Sequence, residues 1–380
     1  MTDLAVEATP PDAVLPAATE PPSYPFSFTG DAEEYFGIWI VNLFLSIVTL
    51  GIYSAWAKVR RKRYFYGHTW VGESNFEYHG NPVSILKGRI IAVTFFVAYT
   101  ALEHFYPTFA NLLLLALFLA APWFIVRSMA FNAYNSSYRN IRFRFHATYM
   151  DGLKAIWPLV FVPLVALALP DIDPNNPPTE LTAAFWAAAF GPMLVALAFI
   201  PYVIRNIKSL QANHSSFGSA PFSFACDAWE FYKIFLLTYL IGIGAMLAVV
   251  LSAVVLAITI IGIVLIPFVY LGAGALVMAY ERARSTNLTF NSTRLAGEMR
   301  IVSTLKVIEL AKIYALNLVA ISFTMGLMIP WAAVRVARYR AQSLALESEQ
   351  PLDGFVAGVT QQVAAIGEEV GEMFDMDLSL

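Results

Sequence analysis

Few residues in this sequence are of types that could perform chemistry, and none forms a recognisable catalytic arrangement. No histidine lies four residues from another or has a cysteine partner, so the spacing of a zinc site is missing. The G-x-S-x-G, P-loop and G-x-G-x-x-G motifs are also missing. We therefore predict that the chain is not an enzyme and has no catalytic residue, metal site or cofactor. The histidines are His68, His79, His104, His146 and His214.

The polar side chains that stand out lie within or beside apolar segments. Asn42 and Asn317 occupy equivalent depths in two such segments, so we predict an intramembrane polar pair, either joining helices or contacting a solute or ion. A second set combines tryptophan with cations. It could bind lipid headgroups, at about 1 kcal/mol per cation, or fix the orientation of the chain in the membrane. These candidate anchors are Trp56, Lys58, Arg60, Arg61, Lys62, Arg63, Trp331, Arg335 and Arg338.

Both sets belong to two similar stretches of the chain. Residues 42–64 and 317–339 align without a gap and share ten identical residues, among them the asparagine, a glycine, the tryptophan and two arginines. Each stretch runs from apolar residues through tryptophan to cations. This order is typical of a segment that passes from the hydrocarbon core through the membrane interface to the cytoplasmic face. The match predicts an internal repeat.

The composition places the chain in a membrane. Hydrophobic residues make up 58% of it and charged residues 13%, with a mean hydropathy of +0.61. A soluble domain averages about 25% charged residues. The net charge of −3 argues against nucleic acid as a partner, and one cysteine excludes an internal disulfide. Membrane lipids are the expected partners, whereas protein partners stay unidentified.

The apolar segments predict about eight membrane helices. Residues 234–280 contain no charge, and 47 helical residues would extend about 70 Å, so two spans with a turn near Ile258 are expected there. Short segments between spans predict strands: residues 69–71 and 76–78 flank a turn, and Ile141–Phe145 alternates aromatic with charged residues. A hydroxyl precedes an aromatic residue by seven positions in three of these segments, at Thr69, Ser136 and Ser215; weaker versions are 26–28 and 288–290.

If these segments share one membrane face, the first and last apolar elements pose a topological problem. Each could cross once, which gives eight spans but puts Arg335, Arg338 and Arg340 outside, against the positive-inside rule. Alternatively each dips in and returns, breaking at Gly51 and Gly326. We expect an all-α polytopic membrane protein of about eight membrane helical segments built from repeated modules, with short hairpin-like segments on the cytoplasmic face.

Three regions are predicted. Residues 1–25 are an acidic, proline-rich, disordered tail without signal-peptide features, residues 26–342 are the transmembrane domain, and residues 343–380 are an acidic amphipathic tail.

The run GIYSAWAKVRRKRYFYGHT, residues 51–69, with FSFTGDAEEYFGIWIVN before it and FEYHGNPVSILKGR after it, resembles the signature of the YjgN family. The resemblance covers residues 26–342 and implies a multi-pass protein of the bacterial inner membrane. It brings no established substrate or catalytic residue. We expect transport of a small solute or lipid, or alternatively a non-transporting scaffold or lipid-binding role.

Overall fold

Pairs of helices alternate with β-hairpins along the chain. The computed structural model describes residues 22–168 and 182–363. The helices are α1 (Ala32–Val48), α2 (Ser54–Gly67), α3 (Pro82–Phe105), α4 (Pro107–Tyr134), α5 (Tyr149–Ile156), α6 (Phe161–Ala168), α7 (Ala183–Asn213), α8 (Ala228–Leu256), α9 (Ile260–Asn291), α10 (Val307–Phe323), α11 (Ile329–Gln342) and α12 (352–363). The strands are β1 (Ser23–Phe28), β2 (Thr69–Val71), β3 (Ser74–Tyr78), β4 (Ser136–Tyr138), β5 (Ile141–Phe145), β6 (Ser215–Phe217), β7 (Ala220–Phe224), β8 (Thr293–Leu295), β9 (Met299–Ser303) and β10 (Leu344–Ser348).

The ten strands form a closed antiparallel barrel, so the predicted all-α class is wrong. Four hairpins join neighbours in sequence, and the two chain ends supply the fifth pair, in which Tyr24 lies opposite Leu346. Closure leaves no free sheet edge, which explains how strands of three to six residues can be stable. Ordered strands also extend past the domain boundaries predicted at residues 25 and 342.

Alternation along the strands fills the barrel with aromatic and aliphatic side chains. In β5, Phe143 packs against the core of the lumen whereas Arg142 is exposed, as the alternating pattern predicted. Helix α12 closes the end of the barrel that is remote from the long helices. Its Leu352, Val356 and Val359 are buried in the same core, and Asp353 pairs with Arg139 in the β4–β5 turn.

One hydrogen-bonding pattern occurs at all five junctions between helix and barrel. The first residue after an outgoing strand donates its N–H to the carbonyl of the residue that ends the neighbouring helix, as in Thr29 to His68 at 3.0 Å. Beside it, a hydroxyl donates to the carbonyl four residues earlier and so satisfies a helix C-terminus. The backbone donors are Thr29, His79, His146, Ala225 and Thr304, and the hydroxyls are those of Thr69, Ser136, Ser215, Thr293 and Ser343.

Within the described residues, five helices rather than about eight are long and apolar enough to span a membrane: α3, the 115–134 part of α4, α7, α8 and the 261–291 part of α9. The turn between α8 and α9 falls at residues 257–259, which confirms the prediction near Ile258. Residues 149–168 do not form one continuous helix: a 3₁₀ turn, Trp157–Val160, separates α5 from α6, because Pro158 cannot donate a helical hydrogen bond. Residues 1–21 of the predicted N-terminal tail, residues 169–181 and residues 364–380 of the predicted C-terminal tail lie outside the described residues.

The first and last elements are each two short helices that double back, not single spans. After Thr49, Leu50 has φ 49° and Gly51 φ 90°; after Thr324, Met325 and Gly326 have 49° and 97°. Each threonine hydroxyl donates to a carbonyl four residues earlier and accepts from an N–H four residues later. Leu50 and Met325 are 94% and 97% exposed at the tips, which suits immersion in hydrocarbon.

Candidate functional site

A cavity of about 610 Å³ lies between the first and last helix pairs, a volume in the range of small-molecule sites. Helices α2, α9, α10 and α11 form its walls. We call it the lateral cavity; its lining is Lys58, Arg61, Lys62, Phe65, Tyr66, Met278, Tyr314, Asn317, Leu318, Ile321, Ala332, Ala333, Val336, Ala337 and Arg340.

The α2 side of the lateral cavity is cationic. Lys58, Arg61 and Lys62 face it together because residues three and four apart share one side of a helix, here α2. Arg340 joins them from the barrel end of α11. No glutamate or aspartate is among the lining residues. The cationic side of the lateral cavity can therefore attract an anionic group.

Lys62 is the most enclosed of these cations. Its ammonium donates to the side-chain oxygen of Asn132 on α4 and lies 4.6 Å from the centre of the Tyr78 ring. Burial lowers the pKa of Lys62, and the neighbouring Lys58 lowers it further. A bound anion would oppose both effects, because it favours the charged form.

The α10–α11 side of the lateral cavity is apolar, apart from the buried side chain of Asn317. Leu318 and Ile321 of α10 and Val336 of α11 supply aliphatic wall there. Asn317 is 5% exposed, and its Nδ2 donates to the Ala332 carbonyl over 3.4 Å. Its Oδ1 has no hydrogen-bond partner, an arrangement that costs about 1–3 kcal/mol in a protein interior.

The two asparagines predicted as a pair each bond within their own helix pair. Asn42 Oδ1 accepts from Arg60 at 3.4 Å, and Arg60 also donates to the Tyr53 hydroxyl at 3.3 Å. Among the described residues no hydrogen bond joins Asn42 to Asn317. Only Asn317 borders the lateral cavity.

The remaining predicted anchors lie outside the lateral cavity. Trp56 stacks on Tyr53 with ring centres 6.1 Å apart, and Arg63 is exposed. On α11, the Arg335 guanidinium lies 5.1 Å from the Trp331 ring, a cation–π contact. Arg338 donates to the Gly30 carbonyl at 3.0 Å and so ties the last helix to the loop before α1.

Arg340 is the lining cation that the sequence comparison missed. Its counterpart in the aligned stretches would be position 65, which is a phenylalanine and lies just beyond the matched segment. Residues from α9 and α10, such as Met278 and Tyr314, also line the cavity. No local pattern marks these residues, because they come from helices far apart in the chain. Within 22–168 and 182–363, no cluster of three or more histidine, cysteine, aspartate or glutamate residues could hold a metal ion.

Comparison with known proteins gives the family. Residues 23–373 match the model of a bacterial protein family of unknown function, DUF898. The chain belongs to the DUF898 family. The family's description assigns no activity, and no solved structure matches the chain.

Curated relatives of this DUF898 chain carry the name inner membrane protein YjgN. The one from Escherichia coli K12 is 29% identical over 196 residues, which are 51% of this chain and 41% of the relative. The relative from Escherichia coli O157:H7 is 26% identical, also over 51% of this chain and 41% of the relative. The relative from Salmonella typhimurium is 26% identical over 37% of this chain and 35% of the relative. The chain thus matches about two fifths or less of each relative's length. These names and the apolar helices confirm the predicted family and the inner-membrane location.

Proposed function

We propose that this protein binds an acidic phospholipid, headgroup first, in the lateral cavity. The observation that carries the proposal is the amphipathic lining of the cavity: three cations of α2, with Arg340, on one side and aliphatic residues of α10 and α11 on the other. An acidic lipid combines the same two features, an anionic headgroup and an apolar chain. Each cation near such a surface contributes about 1 kcal/mol. The role is binding rather than catalysis.

The distribution of charge supports an orientation with the barrel in the cytoplasm. Cations crowd the barrel halves of the helices, as at Arg63, Arg127, Arg205 and Arg284, whereas the tips at residues 49–53 and 324–328 and the turn at 257–259 carry none. Cytoplasmic retention of lysine and arginine explains that asymmetry. The lateral cavity then opens at the level of the inner-leaflet headgroups.

Transport is the second candidate function. It is favoured by a further cavity, of about 970 Å³, between the helices and the barrel, which shares Tyr66 and Arg340 with the lateral cavity. Duplication of the end units would suit such a role, since many transporters contain internal repeats. The matched turns and asparagines of the two end pairs support that origin.

The test compares two double variants that remove equal charge from α2. Lys58→Gln with Arg61→Gln removes two cations from the lateral cavity, whereas Arg60→Gln with Arg63→Gln removes two from outside it. Native mass spectrometry would measure phosphatidylglycerol retained by protein taken from nanodiscs with equal phosphatidylglycerol and phosphatidylcholine. We expect the first variant to lose most of the acidic-lipid preference and the second to keep it.

A reporter fused to the C-terminus separates lipid binding from orientation. If the cations only set topology, removing Lys58 and Arg61 would move the reporter to the other side and leave lipid preference in reconstituted protein unchanged. That result, or equal loss of phosphatidylglycerol in both variants, would refute the proposal.

A further inference from the structure

The larger cavity lies on the axis of the molecule, between the long helices and the mouth of the barrel. Every returning helix, α2, α4, α7, α9 and α11, contributes to its wall, and seven barrel strands contribute lumen residues. We call it the axial chamber. Its volume is about 970 Å³, and α12 fills the opposite end of the barrel. A ligand would therefore enter from the side of the helices.

Positively charged side chains outnumber negatively charged ones in the lining of the axial chamber. Lys208, Arg282 and Arg340 line it, against one carboxylate, Glu281. The Arg282 Nε lies 3.4 Å from a Glu281 oxygen, and Lys208 is close enough to interact electrostatically with all three of the others. No described carboxylate lies within 4 Å of a Lys208 or Arg340 nitrogen. Like charges gathered in a cleft repel one another and raise the local concentration of anions.

Four of the hydroxyl groups around the axial chamber are already committed as donors. Ser136, Ser215, Thr289 and Thr293 donate their protons to carbonyls four residues earlier. The lysine and arginine side chains are the charged donors available to an anion. Charge-assisted hydrogen bonds from these groups are the strong ones.

The wall formed by the barrel is aromatic. Phe76, Phe143 and Phe222 from the lumen border the axial chamber, and the rings of Phe143 and Phe222 are stacked with their centres 6.3 Å apart. Flat apolar groups pack well on such rings. The axial chamber thus offers cations on its helical side and aromatic faces on its barrel side.

We infer that the axial chamber is a second binding site, separate from the lateral cavity, for an organic anion of the phosphate or carboxylate type that carries a planar apolar part. Lys208 and Arg282 bind the anionic group, and the phenylalanines of the lumen contact the planar part. Because Tyr66 and Arg340 border both cavities, the anionic group could come from a soluble molecule or from a lipid headgroup. The chemistry of recognition is the same.

Phenyl phosphate is a suitable probe, because it combines both features. Its binding would be measured by calorimetry on the full chain in phosphatidylcholine nanodiscs at constant ionic strength, with inorganic phosphate for comparison. We expect saturable binding with one site per chain, tighter than that of phosphate. Lys208→Gln and Arg282→Gln should each weaken it at least tenfold.

Arg284→Gln is the matched control, since Arg284 is exposed on the same helix and lies outside the axial chamber. Equal weakening by this change, or no saturable binding to the wild-type chain, would overturn the inference. Lys58→Gln with Arg61→Gln should leave phenyl phosphate binding intact, which separates this site from the lateral one.

Phosphatidylglycerol in the nanodiscs distinguishes the two sources of the anion. If it displaces phenyl phosphate, the axial chamber receives headgroups from the membrane. If it does not, the natural ligand is a soluble anion. Both outcomes retain an anion site at Lys208 and Arg282, and each assigns its source.

Discussion

The first and last helix pairs have the same turn but different surroundings. In both, a threonine hydroxyl holds the end of the first helix and a glycine at φ 90° or 97° reverses the chain. In both, an asparagine is buried seven residues, about two turns, before the threonine. Yet Arg60 reaches the first asparagine, while the corresponding Arg335 stacks on Trp331 and leaves the second without a partner for its oxygen.

This difference assigns separate parts to the two pairs. The first supplies three of the cations of the lateral cavity, through α2. The last supplies most of the apolar wall, the unpaired Asn317 oxygen and Arg340. The two helix pairs, with matching backbones, thus form the two sides of one amphipathic cavity. Their side chains differ at the matched positions, whereas the turn is the same.

The largest effects are expected at the turns that the two pairs share. Gly51→Ala and Gly326→Ala should each lower the free energy of unfolding by about 1–2 kcal/mol, because a Cβ is disfavoured at these positive φ angles. Denaturant unfolding in detergent would measure this. Gly37→Ala in the middle of α1, where a Cβ meets open space, should instead raise stability by up to about 1 kcal/mol. If only one of the two glycine changes lowered the free energy of unfolding, the two turns would not be equivalent.

The asparagines should respond unequally. Asn42→Leu removes the acceptor of Arg60 and should cost about 1 kcal/mol. Asn317→Leu removes an unpaired acceptor but also the bond to the Ala332 carbonyl, and because these effects have opposite signs the net change in unfolding free energy should be less than about 0.5 kcal/mol. The same unfolding assay applies. If the asparagines instead joined the two pairs, the effects would be equal and the double change would weaken assembly more than either alone.

The smallest expected effect is the difference in unfolding free energy between changes at the matched arginines Arg63 and Arg338. Arg338→Gln should cost about 0.5–1 kcal/mol, since a bond to the Gly30 carbonyl is lost at an exposed position. For Arg63 the described residues show no hydrogen bond, so Arg63→Gln should stay within about 0.5 kcal/mol. A larger cost at Arg63 than at Arg338 would contradict the assigned contacts.

Local patterns in the sequence predicted the local structure. The alternation at 141–145 and the turn signal after Val71 predicted strands that the structure contains, and the uncharged run at 234–280 predicted the α8–α9 turn. The conserved spacing from hydroxyl to aromatic residue within this chain now has a cause. The hydroxyl ends a helix, and the aromatic ring lies in the barrel lumen seven residues later.

Long-range structure could not be predicted in the same way. Barrel closure depends on β1 meeting β10, whose registered residues Tyr24 and Leu346 lie at opposite ends of the chain. The pattern at residues 288–290 predicted a strand but belongs to α9. The true strand β9 has Ile301 and Ser303 where the other hairpins have aromatic residues, and its turn is one residue longer than theirs. Arg340, Lys208 and Arg282 escaped notice because three separate helices bring them to the cavities.

A cryo-electron microscopy map of the protein in nanodiscs containing phosphatidylglycerol tests the central claim most directly. The account predicts density for a lipid headgroup about 3 Å from Lys58, Lys62 or Arg340, with an acyl chain along Ile321 and Val336. Helices α2 and α11 in direct contact, with no room for a lipid between them, would contradict it.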